Sequence, residues 1–277
     1  MTVSNRSILI TGCSSGIGSH CAHALRDRGW RVFASCRTQA DCDRLIAAGF
    51  DSPRIDYADE GSIASGAAQV LQATGGRLDA LFNNGAYACP GAVEDLPAQA
   101  LREIFEANVF GWHALTRQII PVMRAQGHGR IVQNSSVLGY SPFPWRGAYT
   151  ATKFALEGLS RTLQLELADT GIKLVLIQPG PVTSKIRENA IPHFERWIDW
   201  ENSAKAEAYR SIVDRLYTAG PKDRFELGPQ AVADVLIKAL EHRNPRLRYI
   251  VTTPAKMVYW AWRLLPERWV TSYLARM

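Results

Sequence analysis

An α/β fold, in which helices cover both faces of one doubly wound parallel sheet, is predicted by two features of this sequence. Short apolar runs alternate with longer amphipathic stretches, and a glycine-rich turn follows the first apolar run. The apolar runs are SILITG (7–12), RVFASC (31–36), LDALFNN (78–84), GRIVQNSS (129–136), IKLVLIQPG (172–180) and RYIVTT (248–253). Because crossovers between parallel strands are right-handed, the intervening helices should pack on either face of the sheet that these runs form.

Helices are predicted where apolar residues recur at intervals of three and four. These segments include 17–28, 62–73, 100–125 and 149–169. The 277 residues suit one domain, 1–277, since α/β domains of about 250 residues are ordinary.

Two segments depart from the alternation of strands and helices. Residues 184–227 are rich in aromatic and charged residues and contain no strand-like run, which predicts a helical flap over the substrate. Residues 254–277 form an apolar, aromatic tail, but charged residues and Pro266 interrupt it well short of the roughly 20 apolar residues that a membrane-spanning helix needs. We expect the tail to pack on this protein or on a second subunit, with peripheral contact to a membrane surface as the less favoured alternative.

The composition is that of a globular protein, with 47% hydrophobic and 21% charged residues. The formal net charge of +6 fits an anionic cofactor, an acidic membrane surface or a nucleic acid. Lys and Arg form no run, so a nucleic-acid partner is not expected. The five cysteines lack the spacing of a zinc site or a disulfide framework, which predicts reduced thiols and no metal. Because the N-terminus does not resemble a secretory signal, we expect a cytoplasmic protein.

A dinucleotide-binding turn is predicted directly after the first apolar run. Glycine permits a tight turn and lets backbone approach a pyrophosphate, and the following helix offers free N–H groups and its positive dipole end. The residues of this candidate site are Gly12, Ser14, Ser15, Gly16, Ile17 and Gly18. The alternative is a turn between strand and helix that binds nothing.

The strongest chemical signal is Tyr149 followed four residues later by Lys153 on a predicted helix. This spacing places the two side chains on one face, about 5–6 Å apart at their Cβ atoms. At an effective dielectric near 20, an ammonium about 5 Å away is worth on the order of 3 kcal/mol, which predicts a pKa for Tyr149 roughly two units below its usual value near 10. Such a phenol suits general acid/base catalysis. Taken alone, the pair could equally be surface neighbours.

The chain resembles the short-chain dehydrogenase/reductase family over about residues 5–185. The resemblance rests on the glycine spacing, on Asn83-Asn84-Gly85-Ala86, on Asn108 in a long helix, on Ser136, and on Tyr149-x-x-x-Lys153. It implies a single Rossmann domain in which Tyr149 exchanges a proton with the substrate oxygen. It also implies that Ser136 holds the same oxygen, with Ser135 as the alternative, that Lys153 reaches the nicotinamide ribose, and that Asn108 retains a water behind Lys153.

The family usually has Asn-Asn-Ala-Gly where this chain has Asn-Asn-Gly-Ala, so the last two residues are exchanged. The resemblance implies cofactor contacts for Asn83, for Asp56 after a further expected strand, and for Pro179, Gly180, Val182 and Thr183. At the end of the second strand, Ser35-Cys36-Arg37 lacks the acid that holds the ribose of NAD, and Arg37 can pair with a 2′-phosphate. This favours NADP(H), unless Arg37 is simply solvated.

The substrate is expected to be a hydrophobic aldehyde, ketone or alcohol, because the loop at 138–147 is mostly aromatic or apolar. Within the family, the resemblance is greatest to members that act on steroids, retinoids or aldehydes. A homo-oligomer is expected from apolar faces on the helices 100–125 and 149–169. Two other functions remain open, a nucleotide sensor without turnover and an epimerase or dehydratase that retains NAD.

Overall fold

A computed structural model describes residues 6–218, 220 and 225–276 of the chain. Six parallel strands form one sheet among these residues: β1 (Ser7–Ile10), β2 (Arg31–Ala34), β3 (Ala80–Asn83), β4 (Gly129–Asn134), β5 (Ile172–Pro179) and β6 (Arg248–Val251). Their order across the sheet is β2-β1-β3-β4-β5-β6. The doubly wound parallel sheet predicted from the sequence is confirmed, and each apolar run supplies one strand.

The direction of winding changes at β1, which has β2 on one side and β3 on the other. In doubly wound sheets, ligands bind beyond the carboxyl ends of the strands at such a switch point. The glycine-rich turn follows β1 and the Asn-Asn-Gly-Ala turn follows β3. Both turns therefore border the crevice in which this architecture binds its ligands.

Helices cover both faces of the sheet. They are α1 (Gly16–Asp27), α2 (Gln39–Ala47), α3 (Glu60–Ala73), α4 (Ala98–Phe105), α5 (Gly111–Ala125), α6 (Gly147–Glu166), α7 (Ile186–Trp197), α8 (Ala206–Tyr217), α9 (Gln230–Glu241), α10 (Thr253–Leu264) and α11 (Glu267–Leu274). Since successive residues of a strand point to opposite faces, Ile8 and Ile10 join the apolar core beneath α1 and α9, whereas Leu9 joins the core beneath α3, α5 and α6. Each such buried aliphatic side chain stabilises the fold by about 1.5–3 kcal/mol.

The predicted helix 100–125 is divided in two. A five-residue π turn (Glu106–Phe110) lies between α4 and α5 and contains Asn108. Apolar periodicity could not reveal this turn, because helical backbone continues on either side of it. Isolated π turns occur often at functional sites.

The further strand expected before Asp56 does not form. Only two isolated bridges join this segment to the second strand region, between Phe33 and Asp51 and between Cys36 and Arg54. Pro53 lies between them and has no N–H to donate to a sheet ladder. The segment therefore runs beside the sheet edge without becoming a strand.

The flap region 184–227 contains α7 and α8, although residues 219 and 221–224 lie outside the described part of the chain. The tail forms α10 and α11, which are held to the body by the buried side chains of Ala255, Val270 and Leu274. Within the described residues, none of the helices has the length and apolar character needed to cross a membrane.

Candidate active site

The turn between β1 and α1 requires its glycines. Gly12 and Gly16 have φ angles of +68° and +57°, in the left-handed region that glycine enters without steric cost. The backbone of Gly18 is ordinary, but a Cβ atom there would overlap the carbonyl oxygen of Gly12. The glycine spacing is therefore a requirement of the backbone path at the carboxyl end of β1.

The N-terminus of α1 is open to an anion. Ser15 caps it with an extended backbone, φ −166°, and its hydroxyl accepts no bond from the N–H groups of the first turn, which includes Ile17. The first turn also carries no acidic residue. The carbonyl of Ser14 points elsewhere, since it accepts a 2.9 Å hydrogen bond from Arg44. Free N–H groups at a helix N-terminus fit the pyrophosphate of a dinucleotide.

The exchanged residues of the Asn-Asn-Gly-Ala turn place Gly85 against Gly12. A Cβ atom on Gly12 would lie 2.6 Å from the Cα of Gly85, and a Cβ on Gly85 would lie 3.3 Å from the nitrogen of Gly12. Asn84 connects the two turns, because its amide donates to the carbonyls of Thr11 at 3.0 Å and Gly12 at 3.3 Å. The exchange therefore leaves a close backbone contact intact.

Asn83 lies beneath this turn. It is fully buried, and its amide oxygen accepts from the Tyr57 hydroxyl at 2.6 Å. Its amide nitrogen donates to Thr116 at 3.0 Å and to Gln133 at 2.9 Å. With both N–H groups used inside the protein, Asn83 is placed to support the turn, and the side chain that faces the glycine loop is that of its neighbour Asn84.

Tyr149 and Lys153 lie near the start of α6 and are both buried. The Nζ atom of Lys153 is 5.4 Å from the centroid of the Tyr149 ring and 4.2 Å from that of Trp112. It donates a 2.9 Å hydrogen bond to the carbonyl of Asn134, at the carboxyl end of β4. The predicted proximity of Tyr149 and Lys153 is thus present, with the ammonium fixed by the strand next to it.

Burial is the main cause of the pKa shifts of both Tyr149 and Lys153. It lowers the pKa of Lys153 to about 7, with Glu157 acting in the opposite direction. Burial also raises the pKa of Tyr149 well above its usual value. The predicted two-unit fall for Tyr149 is therefore wrong for this state of the protein, because the sequence argument included the ammonium and omitted the loss of water around the phenol.

Ser136 and Ser135 occupy different environments at the end of β4. Ser136 is half-buried, and its hydroxyl oxygen accepts a 3.1 Å hydrogen bond from the N–H of Leu138. This leaves the Ser136 hydroxyl hydrogen available to a substrate oxygen. Ser135 is buried, and its hydroxyl has no hydrogen-bond partner among the described residues. Of the two, Ser136 is the more accessible.

Asn108 is fully buried in the π turn. Its amide oxygen accepts from the N–H of Tyr87 at 3.1 Å, and its nitrogen donates to the Tyr87 carbonyl at 2.8 Å. The same nitrogen lies 3.3 Å from the hydroxyl oxygen of Thr152, one residue before Lys153. Asn108 thereby joins α6 to the loop that follows β3.

Arg37 and Asp56 lie beside the edge of the sheet at β2. Arg37 is exposed, and its guanidinium forms no hydrogen bond or ion pair with any described residue, whereas its carbonyl accepts from Arg54 at 3.0 Å. Asp56 is half-buried, and its carboxylate accepts a 3.1 Å hydrogen bond from the N–H of Ala58. An exposed guanidinium at this position is available to a phosphate group.

The turn after Pro179 folds back toward the glycine-rich turn. A Cβ atom on Gly180 would overlap the hydroxyl of Thr252, so glycine is required there. Val182 bridges to Leu227, whose carbonyl accepts a 2.9 Å bond from the exposed Thr183. A Cβ on Gly16 would lie 3.2 Å from the Cβ of Ser184, which follows directly. The two predicted cofactor-binding turns therefore face each other.

A third apolar cluster includes Tyr149 and the side chains packed around it. Its members come from the segment after β3, the start of α6, and α7 and α8; they include Cys89, Leu138, Ala190, Phe194, Tyr209 and Leu216. The rings of Tyr87 and His193 are stacked across this region, 3.8 Å apart at their centroids. The side chains packed around Tyr149 are therefore mostly apolar and aromatic, and the predicted substrate pocket between them stays a prediction.

One predicted member of the lining is placed elsewhere. The hydroxyl of Tyr140 donates to the carbonyl of Ala255 at 2.7 Å, and its ring meets that of Tyr259 at 5.5 Å. Tyr140 therefore packs on α10. By contrast, Phe143 and Trp145 of the same loop do pack on the third apolar cluster.

Several residues that shape the site were missed by sequence reasoning. Trp112 presents its ring to Lys153 and donates from Nε1 to the Gly85 carbonyl at 2.7 Å. Asn134 supplies the carbonyl that holds Lys153, and its amide donates to Asn84 at 2.8 Å. The second Asn of Asn-Asn-Gly-Ala was a visible signal for Asn84, whereas the contact of Trp112 depends on packing between α5 and α6.

Comparison with known proteins agrees with this geometry. Residues 6–193 match the family model described as short chain dehydrogenase. The chain belongs to the short-chain dehydrogenase family. It is 37% identical over 266 residues to the uncharacterized oxidoreductase YbbO of Escherichia coli K12, covering 96% of this chain and 93% of that protein. It is 32% identical over 260 residues to 17-beta-hydroxysteroid dehydrogenase type 1 of Homo sapiens, covering 88% and 77%.

Among solved structures, this short-chain dehydrogenase resembles a variant of actinorhodin polyketide ketoreductase with NADPH. The TM-score is 0.71 and the identity 26%, covering 90% of this chain and 96% of the other. The similarity to each of the three proteins extends over 88% or more of this chain, well beyond the nucleotide-binding half.

Proposed function

We propose that this protein is an NADP(H)-dependent oxidoreductase that interconverts a hydrophobic aldehyde or ketone with the corresponding alcohol. The observation that carries the proposal is the position of Tyr149, which packs in the third apolar cluster with the Nζ atom of Lys153 5.4 Å from its ring centroid. The uncapped N-terminus of α1 lies beyond the carboxyl end of β1 in the same sheet. The proton donor and the anion-binding end of the site thus share the crevice at the switch point of the sheet.

The residues present fit a nicotinamide dinucleotide. Gly12, Gly16 and Gly18 contribute no side chain to the turn, and the uncapped N–H groups of α1 suit a pyrophosphate. Arg37 would pair with a 2′-phosphate, and the turn from Pro179 to Thr183 would lie along the nicotinamide end. Oxidoreductase activity follows from family membership, and the preference for NADP(H) rests on Arg37 and is supported by the NADPH in the polyketide ketoreductase structure.

Each side chain of the site has a distinct part in the proposed reaction. The bound nicotinamide supplies or accepts the hydride. Tyr149 donates its phenolic proton to the substrate oxygen during reduction, and its phenolate takes a proton from the alcohol during oxidation. Ser136 donates a hydrogen bond to the same oxygen and fixes its distance from Tyr149. Lys153 stabilises the phenolate through its positive charge.

Asn108 is assigned a supporting part. Its hydrogen bonds to Tyr87 and Thr152 fix the helix turn on which Lys153 lies. Asn83 likewise supports the turn after β3 from below. We therefore expect substitutions of Asn108 and Asn83 to act through the positions of Lys153 and the glycine turn.

The proposed substrate class rests on the apolar residues packed around Tyr149. Phe194, Trp145 and Leu138 offer apolar surface next to Tyr149, which suits a hydrocarbon or ring system and opposes a sugar. A hydroxysteroid dehydrogenase and a polyketide ketoreductase are among its relatives, and their names describe reactions on large, weakly polar molecules. We propose that the enzyme acts in the cytoplasm as a homo-oligomer. Four exposed apolar side chains on or near α5 and α6 support the assembly: Phe110, Phe154, Leu159 and Leu165.

The test is the absorbance at 340 nm of NADPH or NADH mixed with the protein and a panel of hydrophobic aldehydes and ketones. Wild-type protein is expected to consume NADPH, and Tyr149→Phe is expected to bind NADPH but to lose turnover at least a hundredfold. NADPH binding without turnover on the whole panel would favour a nucleotide sensor. Nucleotide that stays bound through desalting would favour an epimerase or dehydratase.

A further inference from the structure

The tail helices α10 and α11 present large apolar side chains to solvent. Six such residues are between 48% and 73% exposed: Met257, Trp260, Leu264, Leu265, Trp269 and Tyr273. Exposed apolar residues scattered singly are normal on protein surfaces. Six of them within 17 residues of chain, two of which are Trp, form a concentrated apolar region of the surface. We call these six residues the tail surface.

The helical spacing places these side chains in stripes. On α10, Met257, Trp260 and Leu264 follow at intervals of three and four and so share one face. On α11, Trp269 and Tyr273 are four apart and share a face, while Val270 and Leu274 are buried against the body. Each tail helix therefore has one face that contacts the protein and another that offers apolar groups outward.

Basic residues accompany the apolar stripes. Lys256, Arg263, Arg268 and Arg276 lie in this segment together with a single acid, Glu267. The charge on the two helices is thus clearly positive, and Lys256 and Arg268 form no ion pair with any described residue. Trp and Tyr with flanking Lys and Arg are the composition of helices that lie in the interface of an anionic membrane.

The same positive charges disfavour binding of a second copy of this chain to the tail surface. In a symmetric dimer a surface meets its own copy, so four basic residues would meet four others with one acid from each side. Like charges brought together in this way weaken an interface. An anionic lipid surface instead complements them.

We propose that the tail surface docks the protein peripherally on membranes that contain anionic lipid. Of the docked helices, α10 also contacts the loop that precedes α6. The Ala255 carbonyl accepts from Tyr140, and Trp262 donates to Ser141 at 2.8 Å, so α10 holds the loop that ends next to Tyr149. Docking through the outer face of α10 leaves these inner contacts in place.

The experiment is flotation of the full chain with vesicles of phosphatidylcholine alone or mixed with phosphatidylglycerol, with no cofactor or substrate. Wild-type protein is expected to float with the anionic vesicles and to be released by high salt. Trp260→Ser combined with Trp269→Ser should lower the partition coefficient at least tenfold. Lys256→Gln combined with Arg268→Gln should lower it by about fivefold for each charge removed.

The matched control is Ile46→Ser, which removes a side chain of similar exposure, 53%, from α2 on another part of the molecule. It should float like wild type. Wild-type protein that stays out of both vesicle types overturns the proposal. Sedimentation equilibrium without lipid tests whether a second copy of this chain binds the tail surface instead. An oligomer of the wild-type protein that dissociates in the double Trp variant would show that a second copy covers this surface, and would also overturn the proposal.

Discussion

The ammonium of Lys153 lies over the ring of Trp112, 4.2 Å from its centroid. The same indole donates its Nε1 hydrogen to the carbonyl of Gly85 at 2.7 Å. One side chain on α5 therefore contacts both the lysine beside Tyr149 and the turn that packs on the glycine loop. Trp112 supports the two halves of the proposed site at once.

Replacing Trp112 by Phe should affect both halves. A Phe ring keeps much of the apolar volume but leaves the Gly85 carbonyl without its donor, which costs about 1–3 kcal/mol of unfolding free energy. The KM for NADPH should rise because the turn beside Gly12 loses a support. Urea denaturation and NADPH titration measure these effects. An unchanged KM together with a lower stability would restrict Trp112 to a packing role.

The stability of the fold should depend on pH through Lys153. Its pKa is lowered to about 7 in the folded protein, whereas a lysine in the unfolded chain titrates near 10.4. Between these values the unfolded state binds more protons, so this group makes the fold more stable as the pH rises from 7 toward 9. Lys153→Met removes the effect. Urea denaturation across this range should show the stability of wild type rising relative to that of the variant, and parallel curves would contradict the assignment.

Two glycine-to-alanine variants should show which glycine near the nucleotide turn has no room for a Cβ atom and which one has. Gly18→Ala places a Cβ atom against the Gly12 carbonyl, so it should abolish NADPH binding or prevent folding of the turn. Gly85→Ala meets only a 3.3 Å contact with the nitrogen of Gly12, and a shift of a few tenths of an ångström relieves it. It should bind NADPH within a few-fold of wild type. Calorimetric titration of both proteins is the measurement, and equal losses would show that the close backbone contact is misassigned.

Arg37 should determine the choice of nucleotide. Arg37→Ser removes the guanidinium but keeps a small polar side chain, and loss of a charge-assisted pair with a 2′-phosphate should raise the KM for NADPH by about ten- to a hundredfold. The KM for NADH should change little. Arg54→Ser is the matched control, since it removes a nearby exposed guanidinium that donates to the Arg37 carbonyl. A similar KM change in both variants would point to a general effect of charge.

Sequence alone located the strands and the proximity of Tyr149 to Lys153, and the reasons can be identified. The apolar runs marked every strand to within a few residues, because both faces of this sheet are covered. The four-residue spacing of Tyr149 and Lys153 fixed their shared face, since it depends only on the helix to which they belong. Such features are local, so a single segment contains all the information needed.

Features that depend on packing between segments were not accessible in the same way. The pKa of Tyr149 follows from its burial beneath the flap and α4, which no spacing within α6 reports. The different parts of Asn83 and Asn84 follow from their other partners, since Asn83 bonds to Tyr57 and Thr116 whereas Asn84 bonds to the glycine turn. The orientation of Tyr140 follows from its contacts with α10. In each case, the partner that decides the outcome is far away in the chain.

The π turn at Glu106–Phe110 changes which apolar core each half of the long helical segment contacts. The wider winding of the π turn rotates the residues before it relative to those after it. Ile104 on α4 therefore packs in the third apolar cluster, whereas Leu115 on α5 packs in the core beneath α3, α5 and α6. One continuous helical segment therefore contributes to two apolar clusters. Asn108 lies at this junction, where its amide nitrogen donates to the Tyr87 carbonyl and lies 3.3 Å from the Thr152 hydroxyl, so the point at which the winding changes is tied to the helix turn of Lys153.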